Sequence, residues 1–281
     1  MTWTILILIL AIALFVFSSF IVRSDSKKAS VQGIIMHRLI SVVAIALIAG
    51  CVCRLWTPVY LTKTNPEILQ EMVASMQAQQ EAEKSKELRR FVEKHMDDMI
   101  GFAPIAGNVD AGKTIFLFSD YSCPFCRRVH AELSRVLKER NDVRVVLKNF
   151  SIHGALSDAP AKAVIAAKLQ GNEKAAALDK LLMDREYYGQ EEAKNAYSKD
   201  KKDQEKAAKA VEANVMKLAK EAGLDTKKLA DDMKGDTVAM ELDNVRDLAE
   251  RFEIRGTPFL IIGTKSFPGA IPYSKIIEAL K

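Results

Sequence analysis

The chain opens on an uncharged apolar run, residues 5–22 (ILILILAIALFVFSSFIV), about long enough to cross a bilayer as a helix. A second run, residues 39–53 (LISVVAIALIAGCVC), is shorter and follows Met36-His37-Arg38. That length suits the hydrophobic region of an export signal better than a full span. Asn65-Pro66-Glu67 then starts a helix, with an N-cap, a proline at the first helical position and an acid in the first turn. Ile68, Leu69, Met72, Val73 and Met76 recur at spacings of three and four and form one apolar stripe. Residues 77–86 (QAQQEAEKSK) are polar nearly all round, and apolar spacing resumes at Leu88, Phe91, Val92, Met96 and Met99.

Beyond this stalk, residues 101–112 (GFAPIAGNVDAG) are turn formers and read as a linker or edge loop. The pattern predicts a buried strand over 114–118, a helix over 123–138 and a second strand over 143–147. From 158 to 253 it is overwhelmingly helical, broken at Gly189, at Gly223 and in the charged stretch 198–206. A strand at 259–262, a short one at 267–270 and a closing helix over 274–280 complete an α/β order. There is no internal repeat and no glycine loop of the nucleotide-binding kind.

Composition narrows the class. The 281 residues, 49% hydrophobic and 27% charged, exclude a wholly disordered or wholly membrane-embedded chain. The net charge of +5 is spread among acids, without the one-signed stripe that nucleic acid calls for. Arg23, Lys27, Lys28 and Arg38 lie between the two apolar runs, which makes that loop cytoplasmic and puts everything after about residue 54 outside. A start at Met36 leads to the same side, with His37 and Arg38 as the head of an export signal. Ile48-Ala49-Gly50-Cys51 resembles a lipoprotein box with Cys51 as the lipidated residue, against an uncleaved or differently cleaved anchor.

Four cysteines are too few for a disulfide scaffold. Two lie in the second apolar run, and two form Cys123-Pro124-Phe125-Cys126 at a strand-to-helix junction. A helix start favours thiolate over thiol, and such placement lowers a cysteine pKa from ~8.5 to about 3.5–7.5. Cys126, one turn on, is close enough to pair, while Cys123 is expected to stay more exposed. Arg127 and Arg128 would add positive potential near the sulfurs. Half a zinc site, two packed core thiols and an inert disulfide are the competing readings. Structural zinc needs a second ligand pair, and the domain's remaining histidines, His130 and His153, do not supply one. The second motif is Arg255-Gly256-Thr257-Pro258-Phe259, where an X-Pro bond opens a strand in a position suited to a cis bond and to pairing with an incoming peptide.

Phe118 to Cys126 (FSDYSCPFC) together with Gly256-Thr257-Pro258-Phe259 resembles the exported DsbA-like thiol–disulfide oxidoreductases over roughly residues 104–281. The resemblance implies a thioredoxin fold with an inserted helical domain. It implies that Cys123 is the attacking or attacked sulfur and that Cys126 resolves the mixed disulfide. Thr257 and a cis Pro258 would hold substrate backbone beside the dithiol, with Pro124 and Phe125 in the contact surface. It places Lys148 behind the buried sulfur. The acid often found six positions before the first cysteine is Leu117 here, so a buried Glu–Lys pair is broken and Lys148 also reads as a surface lysine. Pro-Phe replaces the usual Pro-His between the cysteines. The stalk resembles those of the ScsC-like and Com1-like branches, some of which oligomerise and act as disulfide isomerases.

The layout expected is therefore a membrane anchor or signal region over 1–60, a helical stalk over 61–100 and a thioredoxin-like domain over 101–281 with its insertion at about 158–253. The function expected is oxidase or isomerase exchange with cysteine-containing exported proteins in a bacterial cell envelope, the chain being membrane-anchored and reset by a membrane redox partner. The stalk stripe serves as a homo-oligomer seam or as part of a solvated spacer. No cofactor, metal or nucleic acid enters this reading. The alternative is an envelope protein whose dithiol captures copper, with Met72, Met76, Met96 and Met99 as accessory surface.

Overall fold

The computed structural model describes residues 39, 42, 43, 45–50 and 66–281. The run 5–22, both candidate start sites and Cys51 lie outside the described residues. Within the second apolar run the described residues are helical, and Leu39, Val42, Val43, Ile45 and Leu47 are exposed. Among the described residues no helix is long and apolar enough to cross a membrane. The chain divides into two compact units, Met1–Glu81 and Ala82–Lys281.

The boundary falls inside the first long helix, α1 (Pro66–Lys94), rather than at residue 100. The reason is packing. Met72, Val73 and Met76 in its first half are exposed, whereas Leu88, Phe91 and Val92 in its second half join Met96 and Met99 of the short α2 (Met96–Ile100) in a buried cluster. The second half of the predicted stalk is thus part of the domain core.

Residues 101–112 are not only a loop. They contribute β1 (Ile105–Gly107), which pairs antiparallel with β3 (Val143–Asn149). β2 (Lys113–Ser119) runs parallel to β3, and β4 (Phe259–Ile262) and β5 (Lys265–Pro268) follow antiparallel, giving the order β1-β3-β2-β4-β5. The middle strands are apolar on both sides because both sides are covered. Ile115 and Leu117 of β2 face Val129, Leu133 and Val136 of α3 (Pro124–Glu139) and Ile276 of α10 (Tyr273–Ala279). Phe116 and Phe118 alternate to the other side, against α2 and the end of α1.

Between β3 and β4 lie α4 (Asp158–Ala167), α5 (Asn172–Asp184), α6 (Gln190–Ala196), α7 (Lys201–Glu221), α8 (Thr226–Asp232) and α9 (Asp236–Arg251). Their shared core includes Val164, Leu178, Val211 and Leu229, and it also takes in Tyr121, Cys123 and Cys126. α9 leaves that core: its Val245, Leu248 and Ala249 return to the sheet beside Phe116 and Val146. The expected insertion over 158–253 therefore ends in a helix shared with the sheet.

Candidate active site

Cys123 is the N-cap of α3, with extended backbone (φ −79°, ψ 118°), and Pro124 follows at the first helical position. Its N–H donates to the Asp120 carbonyl at 3.1 Å, and its carbonyl accepts from Cys126 N–H at 3.1 Å, closing the first turn. Both cysteines are unbonded thiols. Cys123 is only 6% exposed and Cys126 fully buried, so the greater exposure expected of Cys123 is a small difference between two enclosed sulfurs. They are enclosed because the insertion packs over them.

Thr257-Pro258 is cis and lies against the dithiol. The Cys123 thiol points at the Thr257 carbonyl, with 3.5 Å between Sγ and oxygen. Asp120 N–H donates to Cys126 Sγ at 3.4 Å. Burial pushes the Cys126 thiol up to about 12; Asp120 N–H and the Thr257 hydroxyl oppose this and neighbouring Cys123 reinforces it. Cys126 is thereby a neutral thiol at physiological pH. Gly269 N–H donates to the Pro258 carbonyl at 2.8 Å, fixing the loop from the β5 side.

The turn before Cys123 is built on Asp120, a residue in the segment leading into the C-x-x-C motif whose role the motif itself does not reveal. Its buried carboxylate accepts from Ser122 N–H and Oγ, both at 2.8 Å, and from Ser157 Oγ at 2.5 Å. It also takes Ile152 N–H at 2.8 Å and His153 N–H at 3.2 Å. The Asp-x-Ser spacing of an Asx turn is the local signal that could have revealed it.

Arg127 does not serve as free charge beside the sulfurs. Its guanidinium donates to the Met183 and Arg185 carbonyls at 2.7 and 2.9 Å, tying α3 to the end of α5, while Arg128 lies over the Phe125 ring at 5.2 Å. Phe125 is 53% exposed, an apolar surface immediately beside Cys123.

Lys148 is not a surface lysine, nor does it stand behind Cys126. It is fully buried, and its Nζ donates to Glu241 at 2.7 Å, Asn244 at 2.8 Å and the Ile100 carbonyl at 3.2 Å. Its neighbours on β3 alternate, with Leu147 packing against α3, so Lys148 faces α2 and α9 on the opposite side of the sheet. A buried Glu–Lys pair does exist, but its carboxylate comes from α9, and Leu117 lies on the other face of the sheet with Leu147. The structure thus brings together Cys123, Cys126, Thr257 and Pro258, with Pro124 and Phe125 adjacent, and leaves Lys148 apart.

The DSBA-like thioredoxin domain model matches residues 114–281. The chain is 30% identical to a thioredoxin-like oxidoreductase from Silicibacter pomeroyi DSS-3, covering 66% of this chain and 94% of that one with a TM-score of 0.54. Its fold is also similar to the thiol-disulfide exchange protein alpha-DsbA2 from Wolbachia pipientis (20% identity, 70% and 95% coverage, TM-score 0.56). Proteus mirabilis ScsC in a transitional conformation shares it too (23% identity, 83% and 96% coverage, TM-score 0.51). No curated protein matches the chain. The chain belongs to the DsbA-like thioredoxin-domain family of thiol–disulfide oxidoreductases.

Proposed function

We propose that the chain is an exported, membrane-tethered enzyme that exchanges disulfides with cysteine-containing proteins through Cys123 and Cys126. The observation that carries this is the pairing of Cys123 at the start of α3 with the Thr257 carbonyl 3.5 Å from its sulfur. A helix start stabilises developing negative charge, and the enclosure of Cys126 leaves Cys123 as the sulfur an incoming thiol can reach.

In the oxidising direction a substrate thiolate attacks Cys123 Sγ of the Cys123–Cys126 disulfide, and Cys126 leaves and takes up a proton. A second substrate thiolate then attacks the substrate sulfur of the mixed disulfide, and Cys123 departs with the electron pair. The substrate loses two electrons and the dithiol gains them. A membrane redox partner reoxidises it. In isomerisation the reduced Cys123 thiolate instead attacks one sulfur of a substrate disulfide and releases the other as a thiolate. A different substrate thiolate then attacks the substrate sulfur of the mixed disulfide, and Cys123 leaves with the electron pair, with no net transfer of electrons. Phe125 offers apolar contact to an unfolded substrate, and Thr257 with Pro258 flanks its backbone.

The apolar runs 5–22 and 39–53, with basic residues between them, support an extracytoplasmic position for the catalytic domain. The exposed stripe of Met72, Val73 and Met76 supports self-association, which would favour isomerase activity. Cys123→Ala is expected to abolish oxidation of a reduced secreted protein, and Cys126→Ala to accumulate mixed disulfides on non-reducing gels. Turnover surviving in Cys123→Ala would sink the reading. Protease added to spheroplasts is expected to remove the domain; its protection would place it on the other side.

A further inference from the structure

A cavity of about 270 Å³ lies behind the dithiol helix, between α3, α5 and the first three strands. Its floor is apolar: Leu117, Leu133 and Leu147 line it, each at most 2% exposed. Its polar lining is lopsided. Asp179 contributes a carboxylate whose oxygens are both occupied, one accepting from the Tyr121 hydroxyl at 2.9 Å and the other 2.7 Å from His130 Nε2. Lys180 is paired with Asp184. Among the described residues the Ser134 hydroxyl and the Lys138 ammonium have no side-chain partner, and buried His130 Nδ1 has none either.

The unpaired groups are therefore the Ser134 hydroxyl and His130 Nδ1, with the Lys138 ammonium as the one unpaired charge beside the apolar floor. Burial disfavours a charge on His130, but Asp179 outweighs it and raises the imidazole pKa, so any charge on the ring is paired with that carboxylate. A ligand that complements these groups carries an anionic acceptor on a compact apolar body. At ~30 Å³ per water the space equals about nine waters, room for roughly ten non-hydrogen atoms.

We propose that this cavity binds small carboxylates with an aryl or short aliphatic body, the carboxylate at Ser134 and Lys138 and the body over Leu117 and Leu147. None of these residues belongs to the exchange site, so the proposal stands apart from the redox reading.

Phenylacetate and its neutral isostere phenylacetamide, each of about ten heavy atoms, are titrated by saturation-transfer NMR into the full chain in detergent micelles. Phenylacetate is expected to saturate with a dissociation constant of roughly 0.1–1 mM, and the amide to bind several-fold more weakly. Ala176→Phe, which fills the cavity from α5, is expected to abolish saturation while leaving micelle partitioning unchanged. Lys138→Glu, an exposed change at the rim, is expected to weaken phenylacetate about fivefold or more and leave the amide unaffected. Non-saturating phenylacetate, equal binding of acid and amide, or binding by Ala176→Phe equal to that of the native chain would each overturn the proposal. Should Ala176→Phe fail to fold, Lys138→Glu decides alone: undiminished phenylacetate binding would overturn it.

Discussion

Asp120 and Glu241 are both buried carboxylates, one beside the dithiol and the other beneath the far face of the sheet, and the molecule holds them by different means. Asp120 is surrounded by five hydrogen-bond donors from the loop 150–157 and from Ser122. Burial would raise its pKa, yet Ser157, the Ile152 N–H, Ser122 and, as the smallest of these, the His153 ring outweigh burial and hold it below the usual range. Glu241 has one backbone donor, Phe102 N–H at 2.8 Å, and one counter-charge in contact, Lys148, with Lys168 adding a weaker attraction. There burial wins: it raises Glu241 and lowers Lys148, so each partner is displaced toward its neutral form. Several fixed dipoles compensate a buried charge better than one opposite charge does, because the counter-charge must itself be desolvated.

The pair under the sheet nonetheless has a place in the fold. Lys148 and Glu241 between them bind the Ile100 carbonyl and Phe102 N–H, on either side of Gly101. Gly101 has φ +52°, and a Cβ there would lie 2.8 Å from Glu241 Oε2, so the turn that carries the chain from α2 toward β1 needs glycine. Removing one charge alone isolates the other in the core. Glu241→Gln is expected to lower unfolding free energy by about 3–5 kcal/mol, read from urea midpoints at pH 7. A loss below about 1 kcal/mol would mean that water reaches Lys148.

The next largest effect is expected at Asp120. Asp120→Asn keeps the shape of the turn but replaces charge-assisted bonds by neutral ones and faces at least one donor with an NH₂ group, at about 2 kcal/mol. Its pH dependence follows from a folded pKa below the unfolded value of ~3.9. The unfolded chain binds the proton first as pH falls, so the contribution of Asp120 is fully present above pH ~4 and is lost as pH drops through the folded pKa. The gap between native chain and variant is therefore expected to hold from pH 7 to about 5 and to close as pH falls further, below the ordinary carboxylate range.

Smaller again is the outcome for Lys148→Met with Glu241→Leu. Replacing a buried pair by apolar groups commonly gains about 1–4 kcal/mol, but here it strips partners from Phe102 N–H and the Ile100 carbonyl at about 1–3 kcal/mol. The two nearly cancel, and the double variant is expected within about 1 kcal/mol of the native chain by the same urea measurement. A double variant as unstable as Glu241→Gln would show that hydrogen bonding at Gly101, and not charge, governs that region.

The two carboxylates also mark where sequence reading stops. β4 was legible to the residue, and β2, β3, α3 and α10 to within one or two, because their apolar periods are strong and their neighbours are local. The C-x-x-C and Thr257-Pro258 were legible because each is a local arrangement with few alternatives. β1 was not: three residues of an edge strand carry no period, and Gly107 inside them reads as turn. Lys148 and Glu241 lie 93 residues apart, and nothing local in a helix that also carries Asp236, Asp243, Asp247 and Glu250 separates Glu241, at 3% exposed, from its solvated neighbours. His130 and Asp179 were hidden for the same reason, each a polar residue on an amphipathic helix whose partner is set by packing. Asp120 is the intermediate case, inside a legible motif but with a role that appears only once the loop at 150–157 closes over it.

The smallest expected effect tests the comparison most directly. His153 Nδ1 lies 3.0 Å from Asp120 Oδ2, so this carboxylate too has an ionisable neighbour within contact distance. Were a counter-charge what holds Asp120, losing His153 would resemble losing a partner of the Lys148–Glu241 pair. But the His153 side chain is one-third exposed, where an ion pair contributes little, and the donors Ser122, Ser157 and the Ile152 and His153 N–H groups survive its replacement. His153→Asn is therefore expected to shift the urea midpoint at pH 7 by less than about 0.5 kcal/mol, a small fraction of the effect at Glu241. A loss approaching that of Glu241→Gln would put the two sites on the same footing and remove the distinction between dipoles and counter-charge. A loss confined to low salt would assign whatever His153 contributes to screened Coulomb attraction, leaving the donor shell as what keeps Asp120 ionised beside Cys123.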